Sequence, residues 1–154
     1  MFVSKLFLVA IVAIAIILPK PADTATVIFK NSCKHALKVI ASQSGKGGPG
    51  PICSLKSRKS CTIHYPNKTS INFSASTGTK TLAEFTFNSG FDDLDWYDLS
   101  VVDGFDTSMR LLTPDKKVLT CEKPNCPDAY DFSSDNSKTH ACKSGGTFTL
   151  IFCP

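Results

Sequence analysis

The chain is 154 residues long, with 17 Lys+Arg against 13 Asp+Glu, seven cysteines and eleven Phe. Its charges are interspersed rather than gathered in runs, which argues against a nucleic-acid-binding stripe. The mild positive balance suits loose attraction to anionic cell surfaces and specifies no partner.

The N-terminus reads as a targeting segment. Lys5 precedes an unbroken apolar run, Leu6 to Leu18, shorter than the roughly 20 residues a membrane-spanning helix needs. Pro19-Lys20-Pro21 stops any helix, and small residues follow. Residues 1–24 are therefore expected to be a secretory signal. Cleavage after Thr24 puts Ala22 at the −3 position, whereas cleavage after Ala25 would put Asp23 there. Removing Lys5, Lys20 and Asp23 takes Lys+Arg from 17 to 15 and Asp+Glu from 13 to 12. Residues 25–154 form one domain, with a core modest enough to benefit from covalent staples. No membrane span is expected after signal removal.

Short runs rich in β-branched and aromatic residues follow in order: Thr26–Lys30, Leu37–Ala41, Cys61–Tyr65, Ser70–Ser74, Ala83–Phe87, Trp96–Val102, Met109–Leu112, Lys117–Thr120 and Thr147–Cys153. In the last, Phe148, Leu150 and Phe152 share one face. Ser44 to Pro51, dense in Gly and Pro, reads as a flexible loop. Turn formers separate the other runs, among them Pro66-Asn67, Asp103-Gly104 and Thr113-Pro114-Asp115. No amphipathic helix of three turns emerges. The expected fold is an all-β antiparallel sandwich or barrel with a Phe-rich core.

Cys33, Cys53, Cys61, Cys121, Cys126, Cys142 and Cys153 all follow the signal. In an exported chain they read as disulfides. Zinc is disfavoured, because there is no CxxC and no His pair at metal spacing. An odd number leaves at least one thiol free or paired between molecules. The spacing of Cys53 and Cys61 permits a local staple across a hairpin.

Four ordered segments carry a resemblance. They are Ala25-Thr26-Val27-Ile28-Phe29-Lys30-Asn31-Ser32-Cys33, Thr81-Leu82-Ala83-Glu84-Phe85-Thr86-Phe87, Trp96 to Phe105 with Met109, and Cys126-Pro127-Asp128-Ala129-Tyr130 with Asp135 and Cys142, closing on Phe152-Cys153-Pro154. Together they resemble the thaumatin-like proteins, pathogenesis-related group 5. The family's small cysteine loops are absent between Ser74 and Leu82. Its cysteine-rich second domain is absent between Cys121 and Cys126. The chain is thus similar to a short form, a disulfide-stapled antiparallel β-sandwich without the loop domain.

The resemblance implies pairing of Cys33 with Cys153 and of Cys121 with Cys142. With Cys53–Cys61 as the local staple, Cys126 is left odd. The rival set pairs Cys121 with Cys126 and frees Cys142, and the sequence leaves the choice open.

The resemblance also implies an acidic face, to which Glu84, Asp98, Asp103 and Asp135 correspond. The family's Arg partner falls near Ala75 and is missing. Paired carboxylates can hydrolyse a glycoside when one keeps a raised pKa. They can also simply accept hydrogen bonds from sugar hydroxyls. Without the second wall and the Arg, ionised acids in an open face are expected, and binding is expected over catalysis. The implied partner is cell-wall β-1,3-glucan or a microbial or host surface component. The alternatives are an endo-β-1,3-glucanase and an effector that binds a host protein. A monomer without cofactor, metal or nucleic-acid partner is expected.

Other candidates carry less. Asp92-Asp93-x-Asp95 beside Asp98 lacks EF-hand spacing and reads as a solvated loop. His35, His64 and His140 have no nucleophile pattern around them. Strand alternation turns one of Trp96 and Tyr97 inward and the other outward. Asn67 and Asn72 begin glycosylation sequons, with Asn67, in a turn, the better placed.

Overall fold

The computed structural model describes residues 24–90 and 92–154, so the proposed signal lies outside the described residues except for Thr24. The described chain is built from twelve strands and contains no helix. They are β1 (Ala25–Asn31), β2 (Leu37–Gln43), β3 (Lys46–Leu55), β4 (Ser60–Tyr65), β5 (Thr69–Ala75), β6 (Gly78–Phe87), β7 (Leu94–Ser100), β8 (Met109–Leu112), β9 (Val118–Cys121), β10 (Ala129–Tyr130), β11 (His140–Lys143) and β12 (Thr147–Phe152).

Two sheets form a sandwich. The five-stranded sheet runs β4-β1-β12-β8-β9. The seven-stranded sheet runs β10-β7-β6-β5-β2-β3, with β11 also paired to β7. Pairing is antiparallel except for β1 with β12 and β10 with β7.

Period-two alternation explains the packing. Val27 and Phe29 of β1, Ala83, Phe85 and Phe87 of β6, Tyr97 and Leu99 of β7, and Phe148, Leu150 and Phe152 of β12 all point inward. Their rings touch in a continuous chain. Phe29 meets Phe73 at 4.9 Å between centroids, Phe73 meets Phe85 at 5.6 Å, and Phe85 meets Phe148 at 5.3 Å. Each fully buried Phe contributes about 1.5–3 kcal/mol, so this ring chain is the main apolar glue between the sheets.

Two expectations are corrected. Ser44–Pro51 is not a free loop, because Lys46 onward forms β3, paired to β2 through two register shifts. The glycines and prolines are tolerated because β3 is an edge strand, where a missing N–H need not break a ladder. The cysteine pairing also differs. The structure joins Cys33 to Cys153 and Cys53 to Cys61, but Cys121 joins Cys126 rather than Cys142. The odd cysteine is therefore Cys142, not Cys126.

The reason for that pairing is local. The Glu122–Asn125 turn brings the Cα atoms of Cys121 and Cys126 to 5.1 Å, within disulfide reach. Cys142 is instead buried on β11, directly opposite Asp95 of β7. The Cys53–Cys61 bond spans the two sheets, joining edge strand β3 to edge strand β4, rather than rungs of one hairpin ladder.

Candidate functional site

With Phe85, Tyr97 and Leu99 turned into the core, Glu84, Thr86, Trp96 and Asp98 must face outward. Register then aligns them. Ser42 lies opposite Asn72, Asn72 opposite Glu84, and Glu84 opposite Asp98, giving one polar row across four strands. The adjacent row is Ser70, Thr86 and Trp96, in which the hydroxyls of Ser70 and Thr86 are 2.9 Å apart. Both rows line an open groove of about 510 Å³, to which Gln43, Ser44 and Thr139 also contribute.

The groove's charge centre is the Glu84–Asp98 pair. Burial, reinforced by the facing Glu84, pushes the Asp98 carboxyl up to about 8. Burial also raises Glu84, and hydrogen bonds from Asp98 and the Ser100 hydroxyl offset part of that rise. Asp98 Oδ1 is buried and receives no hydrogen bond from any other described donor. Protonation would turn this carboxyl into a donor, which an unpaired buried carboxylate oxygen favours. Two carboxyls this close cannot both ionise cheaply, so the pair keeps one proton at neutral pH. The expectation of fully ionised acids is corrected here: the outer face of the sheet shields these two more than an open surface would.

The other acids of the expected face are placed differently. Asp103 is exposed in the turn after β7 and acts on Glu84 through space, helping to raise it. Asp135 lies in the loop between β10 and β11, where the Ser137 hydroxyl and amide bind its carboxylate at 2.6 and 2.9 Å. Those bonds hold its pKa below the usual carboxylate range. It lines a separate small cavity of about 180 Å³ with Tyr130 and Phe132, and is not part of the groove.

Trp96 is 36 % exposed and Tyr97 is 1 % exposed, so the indole is the outward member of that dipeptide. Its Nε1 donates to Asp92 Oδ2 at 3.0 Å, which fixes the ring on the groove wall. Asp93 and Asp95 serve backbone and side-chain donors instead. Among the described residues no group of three or more His, Cys, Asp or Glu is arranged to hold a metal.

Asn67 is exposed in a turn, while Asn72 is half-buried in the groove floor, where a glycan would fill the groove. Sequence reasoning missed Ser42, Asn72 and Thr139 as groove-lining residues. Alternation along β5 could have pointed to Ser70 and Asn72. Only strand register brings Ser42 beside them.

No family model matches the chain. In sequence it is similar to a thaumatin-like protein of Oryza sativa subsp. japonica, 45 % identical over 74 residues. That stretch covers 48 % of this chain and 40 % of the rice protein. Thaumatin-like protein PWIR2 of Triticum aestivum is 40 % identical over 76 residues, covering 48 % of this chain and 43 % of the wheat protein. The aligned part thus spans less than half the length of these relatives. In structure the chain is similar to the thaumatin-like xylanase inhibitor TLXI, with TM-score 0.65, 17 % identity, and coverage of 83 % of this chain and 99 % of that one. It is also similar to the protein elicitor MoHrip2 from Magnaporthe oryzae, with TM-score 0.62, 20 % identity, and coverage of 84 % and 99 %. At such identities these two likenesses speak for the fold.

Proposed function

We propose that this chain, which is thaumatin-like in sequence and in fold, is a secreted defence-related or host-interaction protein that binds polysaccharide. The site is the outer groove of the seven-stranded sheet, and the ligand class is cell-wall β-1,3-glucan or a similar microbial-surface glycan. Three disulfides suit an oxidising, extracellular setting. The pathogenesis-related names of several relatives suit a defence role.

The carrying observation is the Glu84–Asp98 pair, set opposite each other and raised by burial, on the floor of an open polar groove with Trp96 on its wall. The ionised oxygens of the pair offer acceptors to adjacent sugar hydroxyls, and the Ser42 hydroxyl and Asn72 amide in the same row offer donors. An amphipathic ring such as indole gives the apolar face of a sugar something to cover. Ser42 and Asn72 extend the polar row across the sheet, with Ser70 and Thr86 in the row beside it.

The same geometry disfavours hydrolysis. In a retaining glycosidase the carboxyls stand about 5 Å apart and flank the scissile bond. Here they stand side by side on adjacent strands of one sheet face rather than on opposite sides of a cleft. The mechanism's raised-pKa acid is present, but among the described residues the groove lining holds no third carboxylate to oppose it.

The test is retention of the disulfide-bonded chain on insoluble β-1,3-glucan, with released reducing sugar assayed in the same tube. Retention without sugar release is expected, falling at least tenfold in Trp96→Ala and in Glu84→Gln/Asp98→Asn. Sugar release would replace this reading with a glucanase. Absent retention, or retention that ignores both variants, would remove the groove as the glycan site and favour a host protein partner.

A further inference from the structure

The charges form no runs along the chain, yet they divide sharply by half. Between residues 24 and 83 there are nine Lys or Arg and no Asp or Glu, whereas residues 84–154 carry twelve acids and six bases. The topology turns this division into a spatial one. Strands β3 and β4 form one edge of the sandwich, and β9, β10 and β11 lie at the other. One edge is therefore basic and the other acidic.

The basic edge has a built focus. Lys30, Asn31, Ser32, Arg58, Lys59 and Ser60 line a cleft of about 410 Å³, with no acidic residue among them. Lys34 and Lys56 flank it in sequence, and all five cations are exposed. None has a carboxylate within ion-pair distance among the described residues, where the ion pair found is Arg110–Glu122.

The support beneath is rigid. The turn carrying Arg58 and Lys59 is bound to β1 by Arg58 N–H to Asn31 O at 2.8 Å and Asn31 N–H to Lys59 O at 2.9 Å. The Ser57 hydroxyl donates to Cys33 O at 2.6 Å, and Asn31 Nδ2 donates to Leu55 O at 3.1 Å. Cys33 is itself anchored by its disulfide to Cys153. Arg58 adopts a φ of 62°, a conformation in which glycine would be easier.

We propose that this cleft and its rim bind a linear acidic polysaccharide, a polyuronate, at a site that shares no lining residue with the glucan groove. Five cations without an ion-pair partner among the described residues, set on a fixed frame, match a chain bearing one carboxylate per sugar, and arginine can bind a carboxylate bidentately. The edge lacks features that would favour other polyanions. Among the described residues the exposed large aromatics, Trp96 and Phe132, are both in the acidic half, so none of them forms a base-stacking platform beside these cations. Ile52 is the one large exposed apolar residue in the basic half, too little to wedge into a membrane interface.

The experiment measures binding of the disulfide-bonded chain to polygalacturonate, with double-stranded DNA and phosphatidylserine vesicles as rivals, at roughly 0.05 and 0.3 M salt. Arg58→Gly/Lys59→Gln removes two cations from the cleft, and Gly suits the turn. Lys138→Gln/Lys143→Gln removes two cations from the acidic half and matches its net charge. Polygalacturonate binding is expected to fall at least tenfold in the first variant and less than twofold in the second. Equal losses would reduce the effect to net charge and overturn the site. Tighter binding of DNA or vesicles than of polygalacturonate would overturn the ligand class.

Discussion

At the edge formed by β3 and β4 the two sheets are joined covalently by Cys53–Cys61, and the nearby β1 and β12 ends are joined by Cys33–Cys153. At the opposite edge, around β7 and β11, closure rests on carboxylates. Asp95, 1 % exposed, accepts the Asn88 amide at 2.9 Å and the Gly145 amide at 3.2 Å. Asp93 accepts the Asn88 side-chain amide and the Ser144 hydroxyl, both at 2.8 Å. The Tyr97 hydroxyl donates to Asp115 at 3.2 Å, and Asp115 also takes the Thr113 hydroxyl. The β3–β4 edge thus depends on a staple between the sheets, whereas the opposite edge, where the Cys121–Cys126 bond closes only a local turn, depends on carboxylates that titrate. The two proposed binding sites would inherit that contrast, because the basic cleft sits on the stapled frame and the Glu84–Asp98 pair on β6 and β7.

The comparison breaks most directly by removing the longest staple. Replacing Cys33 and Cys153 together by Ala opens a loop spanning 120 residues. In the chain-entropy model that costs about 4–5 kcal/mol. For a domain of this size the melting temperature should fall by roughly 10–20 °C. Calorimetry at fixed pH measures it, and a fall of only a few degrees would mean that the carboxylate edge carries the fold.

The next effect in size belongs to Asp98 and has a fixed sign. Its folded pKa, about 8, lies above the ordinary 3.8, so the folded state holds more protons than the unfolded one between those values. Its stabilising contribution is complete below about pH 4 and is lost as pH rises through about 8. The melting temperature should decline by several degrees across that window, and Asp98→Asn should flatten the decline. A wild-type profile no steeper than that of the variant would show that the pair does not hold its proton.

Much of this organisation was legible before any coordinates. Alternation in β1, β6, β7 and β12 was readable because Phe, Val and Leu at every second position leave one register that buries them. The outward positions of Glu84 and Asp98 follow from the same rule. Their direct opposition does not, since it depends on how β6 registers against β7. Nor could ionisation be judged from an assumption of open acids, because shielding comes from neighbouring strands. Strand β3 was hidden by Gly47, Gly48, Pro49 and Pro51, whose tolerance depends on having an edge position. The Cys121–Cys126 bond was one of two open sets, settled by where β11 places Cys142.

Cys142 supplies the smallest effect and the finest probe of the contrast. Its thiol is 8 % exposed, and burial, with Asp115 and Asp95 nearby, pushes it up to about 12. At pH 8 it is overwhelmingly neutral and shielded, and so a poor nucleophile. Cys142→Ala should cost only about 1 kcal/mol, the scale of a small buried group. Alkylation followed by mass spectrometry should show no adduct on the folded chain and one after denaturation. Loosening the carboxylate edge by Asp95→Asn should admit the reagent well before global unfolding, because the thiol faces that residue across the β7–β11 pair. Removing Cys53–Cys61, at the far edge, should not. If labelling instead tracked the loss of that staple, the two edges would open as one unit and their separate means of closure would have no dynamic meaning.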